Sequence, residues 1–135
     1  MADEQVEFEL VTPEKLLMSS GVDMVVVPGA EGDFGVLPRH TPMISTVRPG
    51  VVQIFEDGKV SETLFVGWGF AEVTEARCTL LADEAMPISE IDRAAAEQRL
   101  NDAREDRADA GTDEARASAE RQIAVCEAML RVSAN

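Results

Sequence analysis

Val27-Pro28-Gly29-Ala30-Glu31-Gly32-Asp33-Phe34-Gly35-Val36-Leu37-Pro38-Arg39-His40-Thr41-Pro42-Met43-Ile44-Ser45-Thr46-Val47-Arg48-Pro49-Gly50 is the most specific stretch of this protein. It reads as a strand, a glycine-rich loop, a short strand, and a proline-framed turn into another strand. The closely spaced glycines suit tight backbone geometry, and Pro38 and Pro42 fix φ on either side of Arg39-His40-Thr41. The loop is expected to set Glu31 and Asp33 out toward solvent. The single histidine, His40, falls in the turn, where a ring nitrogen serves most simply as a local hydrogen-bonding group.

On both sides of this stretch the pattern is that of short strands. Val6, Phe8 and Leu10 alternate with Glu7 and Glu9, the period of two that marks a half-buried strand. Val22 to Val27 is rich in β-branched residues. Val51 to Glu56 and Lys59 to Val66 flank Asp57-Gly58, a hairpin signal because both central residues of such a turn favour positive φ. Gly67 and Gly69 bracket Trp68, which predicts a bulge or a close approach of backbone. Arg77 to Ala82 closes the series. Short strands at this spacing predict a β-sandwich of two packed, mostly antiparallel sheets over residues 1–86, or a flattened barrel.

At Pro87 the character of the sequence changes. From Ser89 onward there is no proline, and the one glycine is Gly111. Ser89 suits an N-cap, with Glu90 and Asp92 in the first turn, and the helix runs to about Asp109. Gly111 suits the C-terminal cap, and Thr112 caps a second helix to about Val132. Residues 87–135 therefore form an antiparallel helical hairpin. Its apolar stripes, Ala96, Leu100 and Ala103 against Ala115, Ala119, Ile123, Cys126 and Leu130, are thin, which permits close packing but buries little area.

Composition narrows the function. The net charge of -14 repels nucleic-acid phosphates and anionic headgroups, which argues against nucleic-acid binding. Residues 1–86 hold 5 basic and 15 acidic residues and residues 87–135 hold 7 and 11, so the excess sits on the strand segment. Cys78 and Cys126 lie far apart and read as small buried hydrophobes, in keeping with a reducing cytoplasm. Met1-Ala2-Asp3-Glu4-Gln5 is acidic, unlike a signal or transit peptide, and no apolar run suits direct membrane insertion. One histidine and no close cysteine pair leave no metal site. There is no phosphate-cradling Gly-x-x-x-x-Gly-Lys-Ser/Thr and no Gly-x-Ser-x-Gly elbow, so neither catalytic residues nor a cofactor are expected.

The Gly32-Asp33-Phe34-Gly35-Val36-Leu37-Pro38-x-His40-x-Pro42 run resembles the signature of the epsilon subunit of bacterial F-type ATP synthases, the counterpart of the mitochondrial delta subunit. The resemblance spans the whole sequence, with Phe65 to Ala71 standing where the family has a glycine-bearing strand. It implies a non-catalytic rotor subunit that couples proton flow to ATP synthesis by linking the gamma subunit to the c-ring. By motif position it implies a c-ring contact at Glu31, Gly32, Asp33 and Phe34, and a gamma or rotor contact at His40, Thr41 and Pro42. It also implies peripheral attachment at the cytoplasmic face of the bacterial inner membrane, and a hairpin that can extend along gamma to jam the alpha/beta catalytic head. Some members bind ATP through Ile or Leu, Asp, two variable residues, Arg and Ala. Here Ile91-Asp92-Arg93-Ala94-Ala95-Ala96 has Ala95 at the arginine position, so Asp92 and Arg99 are the weak nucleotide candidates. The alternative reading is an ATP-binding regulator that uses the hairpin.

Overall fold

A computed structural model describes residues 4–133. The Met1-Ala2-Asp3 part of the acidic N-terminal segment lies outside the described residues. The protein divides into two compact units, residues 1–87 and 88–135.

Among the described residues the first unit holds ten strands: β1 (Val6–Val11), β2 (Leu16–Val22), β3 (Met24–Gly29), β4 (Gly32–Val36), β5 (Met43–Val47), β6 (Gly50–Glu56), β7 (Lys59–Val66), β8 (Gly69–Val73), β9 (Arg77–Ala82) and β10 (Ala85–Pro87). They run in the order β10-β7-β6-β3-β5-β8-β9-β1-β2, with β4 beside β3. All pairs are antiparallel except β1 with β9. The β3–β5 link is the single pair Gly29–Val47, where the sheet curls into the two layers of a sandwich. Alternate side chains from both layers meet in one core, including Val6, Phe8, Leu10, Val25, Val27, Val47, Val52, Ile54, Ala71, Val73, Cys78 and Leu80. With few aromatics to fill it, this core depends on interlocking β-branched residues.

Two turn expectations hold in detail. Asp57 and Gly58 have φ of 55° and 77°, the mirror-image turn that joins β6 to β7. At Gly69 a Cβ would stand 2.0 Å from the Leu81 carbonyl oxygen, so this glycine admits a backbone approach that no side chain would tolerate. Two strands have no clear signal in the sequence. β2 lies at the end of the strand order and buries only Val22 outright, so Leu16-Leu17-Met18-Ser19-Ser20-Gly21 shows no clean alternation. β10 has only three residues.

The second unit is a pair of helices, α1 (Arg93–Asp109) and α2 (Asp113–Val132). The expected N-cap at Ser89 is corrected. Ser89 lies in a single 3-10 turn, Ile88–Glu90, and Asp92 caps α1 by accepting the Ala95 amide at 3.1 Å. Asp is as good a cap as Ser, and Asp92 adjoins the Ala-rich run in which regular helix begins. Glu90 and Asp92 thus precede the first turn. The expected cap at Gly111 is corrected too: Ala110 ends α1 in an extended conformation, so a left-handed glycine is not needed. Thr112 caps α2 as expected, its hydroxyl accepting from the Ala115 amide at 3.0 Å.

Between the helices Leu100, Ala103, Ile123 and Cys126 form a small cluster, joined by Leu130. Ala115 is exposed, because it occupies the first turn of α2 beside the reversal of direction. Polar ties flank the seam. Arg99 donates to Gln122 Oε1 at 2.9 Å, Arg104 lies 3.6 Å from Glu127, and Arg93 donates to the Leu130 carbonyl at 3.0 Å and Ser133 Oγ at 2.8 Å.

Candidate functional site

The β3–β4 hairpin is the centre of the site. Gly29 pairs with Gly32 and Pro28 with Asp33, so the loop proper is two residues, Ala30 and Glu31. Gly32 closes it with φ of 140°, a conformation open to glycine. Gly29 is needed for another reason: a Cβ there would meet the Gly32 carbonyl at 2.7 Å and the Phe34 ring at 3.0 Å. Glu31 therefore stands at the tip and Asp33 one step down β4, both exposed. Phe34 is half-buried and packs against the sandwich core, so its ring supports the hairpin from within.

Neighbouring strands brace this tip. The Ala30 amide donates to the Thr46 carbonyl at 2.8 Å, and the Arg48 amide to the Pro28 carbonyl at 2.9 Å. The Arg48 guanidinium donates to the Gly29 carbonyl and, at 2.7 Å, to Asp33 Oδ1. Between the hairpin and β5 lies an open groove of about 520 Å³ lined by residues 29–34 and 43–46. Ile44, at 72% exposure, stands on its rim. Sequence reasoning missed Arg48, fifteen residues from Asp33; only its place after a strand and before Pro49 hinted at a turn.

The proline-framed turn precedes β5. Arg39 at its apex has φ of 66°, uncommon for a residue with a side group. The Arg39 amide donates to the Glu75 carbonyl at 2.7 Å, and its guanidinium pairs with Glu4 at 2.7 Å. His40 Nδ1 donates to the Thr41 carbonyl at 2.7 Å, a local role that keeps the turn in shape. Thr41 and Pro42 are exposed.

A second missed feature lies on the outer face of the layer β5-β8-β9-β1-β2. Strand register aligns Thr46 with Phe70, Phe70 with Leu81, Leu81 with Val11, and Val11 with Leu16. Phe70, Leu81 and Leu16 are 49%, 37% and 54% exposed. Val11 and Leu16, and Phe70 and Leu81, are each partners across a hairpin, but the two hairpins are far apart in the sequence, so no local pattern reveals the row. A shallow depression beside it is lined by Val11, Thr12, Pro13, Phe70 and Leu81, among others. The next row of the same face reads Ile44, Glu72, Thr79, Glu9 and Ser19, with Glu9 paired to Arg77 at 2.8 Å. Apart from Ile44, apolar residues thus give way to polar ones across this surface.

Each nucleotide candidate has a partner within the helical unit. Asp92 Oδ1 is engaged by the helix amide of Ala95, and Arg99 is directed at Gln122 on α2, with its Nη1 3.9 Å from the Met129 sulfur. Among the described residues no cluster of His, Cys, Asp and Glu suits a metal ion, and no helix is long and apolar enough to cross a membrane. Cys78 is buried in the core, and burial pushes its thiol pKa up to about 12.

Comparison with known proteins agrees with this architecture. Residues 5–88 match the family model of the beta-sandwich domain of the ATP synthase delta/epsilon chain, and residues 92–135 match that of the C-terminal domain of the ATP synthase epsilon chain. The protein is 57% identical over 126 residues to the ATP synthase epsilon chain of Paramagnetospirillum magneticum, covering 93% of this sequence and 95% of that one. It is 53% identical over 128 residues to that of Rhodospirillum rubrum, covering 94% and 95%. Among solved structures, a subunit of the Euglena gracilis mitochondrial ATP synthase, OSCP/F1/c-ring in rotational state 1, superposes with a TM-score of 0.74 at 23% identity, covering 93% of this protein and 79% of that subunit. At that identity the likeness is one of fold.

Proposed function

The chain belongs to the ATP synthase delta/epsilon family, and from that premise we propose that it works as a central-stalk subunit of a bacterial F-type ATP synthase, joining the gamma subunit to the c-ring. Its part is mechanical and non-catalytic. A sandwich with one continuous core is stiff enough to pass torque between a shaft and a ring, while the chemistry of ATP resides on other subunits. The subunit is held at the cytoplasmic face of the inner membrane through its partners.

The observation that carries this reading is the exposed row Phe70, Leu81, Val11 and Leu16. A sandwich already closed around its core has no internal use for a contiguous apolar band on its outer face, and such bands mark partner surfaces. We assign the band to gamma, with Glu72 in the polar row beside it facing a basic residue on the shaft. The β3–β4 tip, with Glu31 outermost, is assigned to the polar loops of the c-ring. His40, Thr41 and Pro42, at the entry to β5, belong to the gamma side. The hairpin of α1 and α2 serves regulation of ATP hydrolysis at the alpha/beta head.

The test is affinity for a rotor subcomplex of gamma and c-ring, measured with the full-length protein bearing Phe70→Ser and Leu81→Ser together. Central apolar contacts each contribute more than about 1 kcal/mol when buried in an interface. Loss of at least about tenfold in affinity, with an unchanged circular dichroism spectrum and melting point, is expected. Native affinity in that variant places gamma elsewhere and removes the assignment.

A further inference from the structure

The β3–β4 tip carries two carboxylates, yet the structure treats them differently. Asp33 is paired with Arg48 at 2.7 Å. Glu31 makes no ion pair among the described residues, and it lies in the two-residue loop itself while Asp33 lies on β4. Arg48 is well placed to discriminate between them because its own backbone is clamped: its amide bonds the Pro28 carbonyl, and the next residues are the buried Pro49 and Gly50. A Cβ on Gly50 would meet Pro28 at 3.0 Å, so this corner leaves little room for Arg48 to drift. One guanidinium thus holds both ends of the hairpin closure, the Gly29 carbonyl on β3 and the Asp33 carboxylate on β4.

We propose that Arg48 is the positioning residue of the docking tip: it fixes the β3–β4 turn and cancels the charge of Asp33, so that Glu31 alone presents a carboxylate to a cationic group on the partner. The inference rests on the tip being the c-ring contact. Asp33 and Arg48 have side chains 58% and 40% exposed, and an ion pair so exposed is worth little by itself. Its value here is geometric. The planar fork of arginine donates in two fixed directions, to a carbonyl and to a carboxylate, which the point charge of a lysine reproduces only in part. A partner therefore meets a single net negative charge at this tip, with Ile44 on the groove rim as the adjoining apolar contact.

Two measurements on the full-length protein test this. The first is backbone relaxation and amide exchange in the isolated protein, which needs no partner. Arg48→Ala is expected to mobilise Ala30, Glu31 and Gly32 and to speed exchange of the Ala30 amide, with Arg48→Lys intermediate. A tip as rigid as the native one in Arg48→Ala overturns the positioning role. The second is affinity for the gamma and c-ring subcomplex. Glu31→Gln and Arg48→Ala are each expected to weaken binding by about three- to fivefold, the range of one exposed charge contact, and Asp33→Asn, which leaves the Arg48 charge uncancelled but keeps the Glu31 carboxylate, by a smaller factor. Weakening by Asp33→Asn equal to that by Glu31→Gln overturns the division of labour. If reversing both carboxylates to arginine leaves binding and proton-coupled ATP synthesis native while the relaxation result holds, the c-ring reading is what fails, and the docking role of Arg48 falls with it.

Discussion

The carbonyl oxygen of Leu81 occupies the space where Gly69 would carry a Cβ, 2.0 Å from that position. The two residues sit at one end of the β8–β9 ladder, where Gly69 pairs with Ala82 and Phe70 with Leu81. Glycine is thus a condition of the register that aligns Phe70 and Leu81 on the outer face. Gly69→Ala must push the strands apart, and overpacking of a closed sheet costs about 1–3 kcal/mol. A fall in melting temperature of about 4–20 °C is expected for a domain of this size. Gly111→Ala is the contrast: nothing lies within 4 Å of its Cβ position and its φ is not left-handed, so it should be neutral or gain up to about 1 kcal/mol. Thermal melts of the two variants side by side check both expectations.

Residues 1–86 should fold alone and still join gamma and the c-ring. Their core is closed by strands of that segment. The hairpin segment 87–135 should be mostly unfolded by itself. Its helices have 17 and 20 residues, little beyond the roughly 12–15 at which isolated helices become marginal, and the cluster between them is small. Circular dichroism of the two fragments decides the matter, and a cooperative melt of the isolated hairpin would contradict the expectation.

Mg-ATP should not bind the purified protein with micromolar affinity. A triphosphate needs guanidinium groups free to fork onto its oxygens. Ala95 stands where the family motif has arginine, Asp92 is committed to its helix cap, and Arg99 is directed at Gln122. Isothermal titration checks this. Micromolar binding abolished by Asp92→Ala or Arg99→Ala would show that these side chains let go of their present partners.

Cys78 should resist alkylation by iodoacetamide at about pH 8 until the protein unfolds, because burial holds its pKa at about 12 and the thiolate is the reactive form. The raised pKa also sets a sign. The folded protein keeps the thiol proton more tightly than the unfolded polypeptide, whose value is 9.0, so this contribution to stability is complete below about pH 9 and is lost as pH rises toward about 12. Denaturant melts at about pH 8 and about pH 11 should show the loss, and Cys78→Ala should remove that part of the pH dependence.

Much of this molecule is determined by its sequence alone, wherever the controlling interaction is local. The β6–β7 hairpin is legible because Asp57 and Gly58 must adopt positive φ and few other pairs do so readily. Thr112 is legible as a cap because its hydroxyl needs only an amide three residues on. The glycine pattern of residues 29–35 is legible because tight turns limit which residues can occupy them. Local signals failed where two candidates competed at short range, as Ser89 and Asp92 did for one helix start, and where strand β2 at the sheet edge turns only Met18, Ser20 and Val22 inward, too few apolar residues to mark an alternation. Tertiary structure alone decided the rest. The row from Phe70 through Leu81 and Val11 to Leu16 exists only because β9 lies parallel to β1 in one particular register, and a slip of one residue would turn Phe70 or Leu81 inward. The reach of Arg48 to Asp33 likewise exists only because the sheet curls at the single pair Gly29–Val47 and brings the end of β5 against the start of β4. Both depend on contacts between residues far apart in the sequence, fixed by how the core closes.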